Sequence, residues 1–223
     1  MNSNPSLAIE GGGAALDSFE SIRTLRRDQP EQRDMRTLLI ALMFVHAMAV
    51  PCLAETFQER IGLCLTCHGE NGQSDNVEVP SLGAEPAPFV LIQLYLFREK
   101  QRRVEPMTDA AKDLTDDDLR QFSDFIAKLP APKPPQDGPD AARMERGRGL
   151  AQSYHCGFCH NPDFSGRDNV PRLAAQREDY LVKALREYKS NTRPGYDASM
   201  AEVMQPISDA EILDLAYFMA RSQ

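Results

Sequence analysis

The same short cysteine motif occurs twice in this chain, with its two copies 92 residues apart, and it constrains the fold more than any other feature. The first copy is CLTCH at residues 64–68, and the second is CGFCH at residues 156–160. Cysteines three positions apart lie on one side of a helical turn, and the histidine four positions after the first cysteine shares that side. The motif therefore predicts two helical segments that each present two thiols and one imidazole to a common body.

This spacing is typical of covalent attachment of a c-type haem. Two thiols can add to the vinyl groups of one porphyrin, and the imidazole can bind the iron from the same side. A redox-active dithiol or a four-cysteine zinc site is the alternative, but neither requires a histidine after each cysteine pair. We predict two covalently bound haem c groups, with attachment and proximal iron-ligand residues Cys64, Cys67, His68, Cys156, Cys159 and His160.

The remaining sequence predicts an all-α fold built from two tandem domains. Tryptophan is absent, helix-forming residues dominate and strand-like alternation is scarce. Pro80 and Pro171 are 91 residues apart, and the helix-capping residues Thr115 and Ser208 are 93 apart. Near-constant offsets of this kind indicate one structural module that occurs twice with small loop changes. A bound haem can complete the apolar core that such a small module could not supply alone.

The N-terminal region predicts an export signal. Met35 and Arg36 precede an apolar run that ends at Val50, and a small residue, Ala54, follows shortly after it. The run is shorter than the ~20 residues of a membrane-spanning helix, so residues 35–54 are predicted to be a signal peptide cleaved after Ala54. Residues 1–34 show no apolar period and are interpreted as a mispredicted start or a disordered extension.

Composition then sets the domain boundaries. The first domain is predicted over residues 55–129 and the second over residues 140–223. Residues 130–139 contain five prolines and are predicted to form an extended linker. Cleavage after Ala54 removes Cys52, so every remaining cysteine belongs to one of the two motifs. Residues 55–223 contain 20 Lys and Arg against 27 Asp and Glu, which argues against a nucleic-acid partner and favours a partner with a basic docking surface.

An electron-transfer haem needs a second axial ligand, usually methionine or histidine. Met107 lies 39 residues after His68, and Met200 lies 40 residues after His160. We predict these two methionines as the distal ligands, because they are related by the offset of 93 that also relates the capping residues. Packing in the core is the alternative for both. Met204 is a rival to Met200 in the second domain.

The two motifs, the Pro-x-Leu loops, the methionines and the proline-rich linker together resemble a diheme class I cytochrome c of the cytochrome c4-like family. The segments PSLGAEPAPFVLIQLYLFRE and DYLVKALREYKSNTRPGYD carry much of this similarity. The resemblance implies two cytochrome c folds packed about a pseudo-twofold axis. It also implies that the carbonyls of Pro80 and Pro171 accept a hydrogen bond from the proximal histidines. Arg102, Arg103 and Arg193 are candidates to pair with haem carboxylates, with a solvated surface role as the alternative.

The resemblance implies an electron carrier rather than an enzyme. Such a protein would be periplasmic and monomeric, with peripheral membrane association left open. It would pass electrons from a quinol-oxidising complex or a dehydrogenase to a terminal oxidase or reductase. One alternative is a haem-bearing electron-transfer subunit of a periplasmic dehydrogenase. Another is a diheme peroxidase, which needs an open distal site and is disfavoured by the matched methionines.

Overall fold

The computed structural model describes residues 55–193 and 198–223, and the regular structure in these ranges is helical. The helices are α1 (Phe57–His68), α2 (Ala87–Arg98), α3 (Met107–Ala111), α4 (Asp116–Ile126), α5 (Ala141–Ser153), α6 (Cys156–His160), α7 (Glu178–Lys189), α8 (Ser199–Met204) and α9 (Asp209–Arg221). The all-α prediction is confirmed. The predicted signal peptide, the residues before it and the cleavage site lie outside the described residues. Among the described helices, none is both long and apolar enough to cross a membrane.

Helix α1 carries the first cysteine motif in its last turns. Thr56 caps the helix: its hydroxyl accepts from the Glu59 backbone N–H at 3.3 Å, and the Glu59 carboxylate accepts from the Thr56 N–H at 2.8 Å. The helix ends at Gly69, whose φ is 85°. A side chain at this position would meet the Gln73 backbone, so the turn that follows the motif requires glycine.

The second motif is reached differently. Helix-forming residues predict one continuous helix from Asp140 to Cys159, and the structure contradicts this prediction. Helix α5 ends at Ser153, and His155 adopts a left-handed backbone with φ of 54°. A new helix, α6, then contains the five residues of the motif. Because of this break, α5 and the motif run in different directions. The break occurs at Tyr154 and His155, and neither of these residues is glycine or proline.

The other helices follow the sequence pattern with shifts at their ends. The apolar stripe predicts a helix from Phe89 to Arg102, but α2 ends at Arg98, because Lys100 has a positive φ of 55°. Both predicted capping boxes are present, at Thr115 on α4 and at Ser208 on α9. In the first domain α2 packs against α4, and in the second α9 packs against both α5 and α7.

The capping box of α4 gives a first test of local stability. The Thr115 hydroxyl accepts from the Asp118 N–H at 3.2 Å, and the Asp118 carboxylate accepts from the Thr115 N–H at 2.8 Å. Thr115→Ala removes the hydroxyl that accepts from the Asp118 N–H. The change should lower the free energy of unfolding by about 1 kcal/mol. Chemical denaturation of the holoprotein measures the loss. Thr115→Ser keeps the hydroxyl and should retain most of the stability; equal losses in the two variants would contradict the capping role.

The buried core of the second domain is contributed by all of its helices except α6. Its side chains are Ala151, Phe164, Leu173, Ala174, Leu181, Leu185, Met204, Ile207, Ile212, Leu215, Ala216, Phe218, Met219 and Ala220. Phe164 and Phe218 meet edge to face, with ring centroids 5.7 Å apart. Met204 is 1% exposed. These side chains form the apolar wall on which the second motif rests.

The proline-rich segment between the domains is tied to both of them. The Gln73 side chain exchanges two hydrogen bonds with the Lys133 backbone, at 3.1 and 3.2 Å. At the other end, Asp137 forms an ion pair with Arg221 of α9 at 2.9 Å. The prolines stiffen the linker, and these contacts hold one end of it against the first domain and the other end against the second.

Polar contacts also join the two domains directly. The Arg177 guanidinium donates to the Ser74 carbonyl at 3.0 Å. Glu78 contributes two contacts to α7: its backbone N–H donates to Asp179 at 3.0 Å, and its carboxylate pairs with Lys183 at 3.0 Å. Loops that follow the first motif therefore contact the start of the middle helix of the second domain.

Candidate functional site

Each cysteine motif ends in a histidine that is buried and held by one hydrogen bond. His68 is 5% exposed and His160 is 7% exposed. The Nδ1 atom of His68 lies 2.8 Å from the Pro80 carbonyl oxygen, and that of His160 lies 2.8 Å from the Pro171 carbonyl oxygen. The hydrogen bond predicted from the resemblance is confirmed in both domains.

This hydrogen bond decides the tautomer of both imidazoles. A carbonyl oxygen can only accept, so Nδ1 carries the proton and Nε2 presents its lone pair. Burial lowers the pKa of His68 and of His160, against the opposing effect of the carbonyl bond. A neutral imidazole with a free Nε2 is the form that binds a metal ion. The donor chemistry of both histidines therefore fits an iron ligand.

The four motif cysteines are unpaired, and their environments repeat between the domains. Cys64 and Cys156 are half-buried, whereas Cys67 and Cys159 are exposed. Burial raises the pKa of the Cys64 and Cys156 thiols. A redox-active dithiol needs a lowered thiol pKa, so this environment disfavours that alternative. In residues 55–193 and 198–223, no group of three or more His, Cys, Asp or Glu side chains could hold a metal ion, so the zinc alternative has no support there.

The two predicted methionine ligands occupy equivalent places in the fold. Met107 is the first residue of α3, and Met200 is the second residue of α8. Both side chains are half-buried. Met204, the rival, is 1% exposed and packs in the core, and the residue at its equivalent position in the first domain is Ala111, also 1% exposed. A position that is alanine in one domain and methionine in the other is a packing position, so the repeat favours Met200.

Two of the three candidate arginines are buried rather than solvated. Arg102 and Arg193 are each 7% exposed, whereas Arg103 is exposed. Arg102 donates to the Gln93 side chain at 2.7 Å, and Arg193 donates to the Tyr180 hydroxyl at 2.8 Å. The Nε–H groups of both guanidiniums are buried and have no hydrogen-bond partner among the described residues.

The two buried arginines act on each other across the domain boundary. Burial lowers the pKa of Arg102, and the positive charge of Arg193 adds to this effect. Burial alone would raise the pKa of Tyr180, but the guanidiniums of Arg193 and Arg102 lower it overall. The buried Nε–H groups need hydrogen-bond acceptors, and Arg193 already pairs with the Glu187 carboxylate at 3.1 Å. The carboxylates of a haem supply this chemistry, so the arginines also fit the predicted cofactor.

Sequence reasoning missed three interfacial side chains near the motifs. They are Tyr180, Glu85 and Gln176. Glu85 is 4% exposed and Gln176 is 5% exposed. Glu85 and Gln176 are 91 residues apart, as are Pro80 and Pro171. This repeat was the sequence signal that could have identified them.

Comparisons with known proteins find similar cytochromes. Residues 144–223 match the family described as Cytochrome c. The chain is 29% identical to cytochrome c4 from Thiocapsa roseopersicina over 167 residues, covering 71% of this chain and 86% of that protein. It is 25% identical to a thiosulfate dehydrogenase electron acceptor from Thiomonas intermedia, covering 83% and 90%. The crystal structure of reduced cytochrome c4 from Pseudomonas stutzeri superposes with a TM-score of 0.68 at 23% identity, covering 74% and 96%, and shows the shared fold.

Two helical domains, each with a C-x-x-C-H motif and a proline-anchored histidine, define a diheme class I cytochrome c. Within that class, the chain is similar to the cytochrome c4 proteins. It carries two covalently bound haem c groups. It transfers electrons to and from redox protein partners and is an electron carrier rather than an enzyme.

Proposed function

We propose that this cytochrome is a periplasmic shuttle in which His68 and Met107 ligate one iron, and His160 and Met200 ligate the other. The observation that carries the assignment is the pair of buried, neutral imidazoles, each with Nδ1 bonded to a proline carbonyl at 2.8 Å. Each bound haem supplies a one-electron iron couple, and methionine ligation raises its reduction potential. The cysteine thiols would attach the porphyrin.

The buried arginines complete the proposed haem sites. The free Nε–H groups of Arg102 and Arg193 donate to haem carboxylates near the domain boundary. This pairing would add negative charge beside two neighbouring buried guanidiniums, of which Arg193 already pairs with Glu187. Their other donors are already held by Gln93 in the first domain and by Tyr180 and Glu187 in the second. The side chains are therefore positioned before the cofactor carboxylates arrive.

The proposed route runs from a quinol-oxidising complex or a dehydrogenase to a terminal oxidase or reductase. The excess of acidic residues in the exported chain favours partners with basic docking surfaces. A second candidate is the haem-bearing electron-transfer partner of one periplasmic dehydrogenase, and the similarity to a thiosulfate dehydrogenase electron acceptor supports it. Stopped-flow reduction of the purified cytochrome by a thiosulfate dehydrogenase and by a quinol-oxidising complex distinguishes the two.

Spectra and mass of the exported protein test the proposed sites together. The intact mass should equal residues 55–223 plus two haems. The oxidised protein should show low-spin bands and the weak far-red band of methionine bound to ferric iron. A high-spin component would mean an open iron and would favour the peroxidase alternative. A mass that includes residues before Glu55 would overturn the predicted cleavage site without affecting the haem assignment.

Alanine substitution separates the two candidate methionines of the second domain. Met200→Ala should remove the far-red band of one haem and leave that of the other, with Met107→Ala as the matched variant in the first domain. Met204→Ala should keep both bands, because its side chain packs in the core. It should instead lower the free energy of unfolding by about 2–5 kcal/mol, the usual cost of a cavity. Loss of the band in Met204→Ala, with the band kept in Met200→Ala, would reverse the assignment.

A further inference from the structure

The domain interface contains a pair of reciprocal hydrogen bonds that reach the anchors of the proximal histidines. The Ser81 backbone N–H donates to the Gln176 side-chain oxygen at 2.8 Å, and the Gln176 amide donates back to the Ser81 carbonyl at 2.9 Å. In the mirrored contact, the Arg172 backbone N–H donates to the Glu85 carboxylate at 3.0 Å. Ser81 and Arg172 are equivalent positions, as are Glu85 and Gln176. Reciprocal contacts of this kind are the mark of a twofold-related interface.

One bond on each side of the interface ends on the peptide group that holds the histidine of the domain it reaches. The Pro171 carbonyl accepts from His160, and the N–H of that same peptide unit, on Arg172, donates to Glu85. In the first domain, the Pro80 carbonyl accepts from His68, and the N–H of its peptide unit, on Ser81, donates to Gln176. A single peptide group therefore lies between each histidine and a side chain of the opposite domain.

Hydrogen bonds in such a chain polarise one another. An acceptor on the N–H side of a peptide makes its carbonyl a stronger acceptor. The stronger carbonyl draws the Nδ1 proton of the histidine and increases the basicity of Nε2. A more basic ligand stabilises ferric iron and lowers the reduction potential. A carboxylate does this more strongly than an amide, because charged acceptors form the stronger hydrogen bonds.

We propose that Glu85 and Gln176 are cross-domain positioning residues, through which each domain sets the strength of the proximal histidine in the other. Glu85 acts on His160, and Gln176 acts on His68. The carboxyl group of Glu85 differs from the amide of Gln176, so this pair contributes to unequal potentials of the two haems. The inference rests on the proposed role of His68 and His160 as iron ligands.

The charge of Glu85 determines the pH range in which this pair makes the two haem potentials differ. Burial raises the pKa of Glu85 to about 8, against the opposing effects of its bond from Arg172 and of the charges on Arg172 and Arg193. At pH 9.5 the side chain is a carboxylate and differs from the amide of Gln176. At pH 6 it is a neutral carboxyl, and the two sides of the interface are chemically alike. Measurements at both pH values separate the effect of the Glu85 charge from the effect of the side chain's shape.

The test uses holoprotein with Glu85→Gln or Gln176→Glu, and it resolves the midpoint potential of each haem by redox titration followed by NMR of the haem methyl groups. At pH 9.5, Glu85→Gln should raise the potential of the haem at Cys156 and Cys159 more than that of the other haem. Gln176→Glu should lower the potential of the haem at Cys64 and Cys67. At pH 6 the effect of Glu85→Gln should shrink.

A second readout follows the hydrogen bond itself. In the reduced, diamagnetic protein the Nδ1–H proton resonance of His160 should move upfield in Glu85→Gln, because its bond to the carbonyl weakens. Glu78→Gln is the matched control: it removes one interfacial carboxylate that pairs with Lys183 but bonds to neither peptide group. It should leave the His160 resonance unchanged.

Two results would overturn the inference. One is a larger potential shift in Glu85→Gln at the haem of the same domain, which is the behaviour of a simple through-space charge. The other is an unchanged His160 resonance. The proposed function fails separately, because the intact mass and the far-red bands of the unmodified protein report haem attachment and methionine ligation before any variant is made.

Discussion

Replacing Gly147 with alanine should lower the free energy of unfolding by about 1–3 kcal/mol, the usual cost of overpacking. Gly147 lies in α5 where this helix crosses α9. A Cβ atom there would lie 2.4 Å from the Asp214 carbonyl oxygen and 2.4 Å from the Phe218 Cβ atom. Both are on α9, and one is backbone, so the helices must move apart. Phe218 also packs on Phe164 in the core, so the displacement would loosen the wall beside the second motif.

Gly149 provides a matched control two residues further along the same helix. A Cβ atom there meets no heavy atom within 4 Å. Gly149→Ala should therefore stabilise the protein by about 0.5–1 kcal/mol, because alanine loses less conformational freedom than glycine in a helix. Guanidinium denaturation of the two holoproteins, followed by far-UV circular dichroism, measures both changes. Similar effects at the two positions would show that α5 and α9 can move apart at little cost. Close packing of the two helices would then not require glycine at position 147.

The chemistry of the two haem sites was predictable because it is local in sequence. Five consecutive residues supply the thiols and the imidazole, and the helical turn places them on one side. The proline carbonyl that anchors each histidine lies only 12 residues beyond His68 and 11 beyond His160. The near-constant repeat offset then extended the prediction to Met107 and Met200, which the structure places at equivalent positions.

The interface was not predicted, because contacts between domains leave no periodic signal in one chain. Arg102 and Arg193 were weighed as surface residues or as partners of haem carboxylates, and only the fold shows that they are buried. The break at His155 was also missed, since helix propensity alone runs through it and tertiary packing decides the angle. For the interface, the repeat held usable information: residues that recur at the offset of 91 were candidates for contacts across a twofold axis.

The stability of the holoprotein should fall as the pH rises from about 5 to about 8, and Glu85→Gln should remove most of this dependence. Burial raises the pKa of Glu85 from its ordinary value of 4.5 to about 8. The folded protein therefore binds the Glu85 proton more tightly than the unfolded chain does. That contribution is fully present below pH 4.5 and is lost as the pH rises through the folded pKa. The cost of ionisation approaches ~5 kcal/mol above pH 8, since one pKa unit is worth about 1.4 kcal/mol.

Glutamine suits this position because Gln176 already occupies the equivalent place with its amide bonded to both polar groups of Ser81. Above pH 8, Glu85→Gln should therefore be more stable than the unmodified protein by several kcal/mol, whereas near pH 5 the two should be alike. Denaturant titrations at intervals from pH 5 to pH 9.5 measure the difference. Glu70→Gln changes an exposed carboxylate and should leave the dependence unchanged. A parallel pH profile for Glu85→Gln and the unmodified protein would show that Glu85 ionises in the folded protein without cost, and the interface would then have to admit water at alkaline pH.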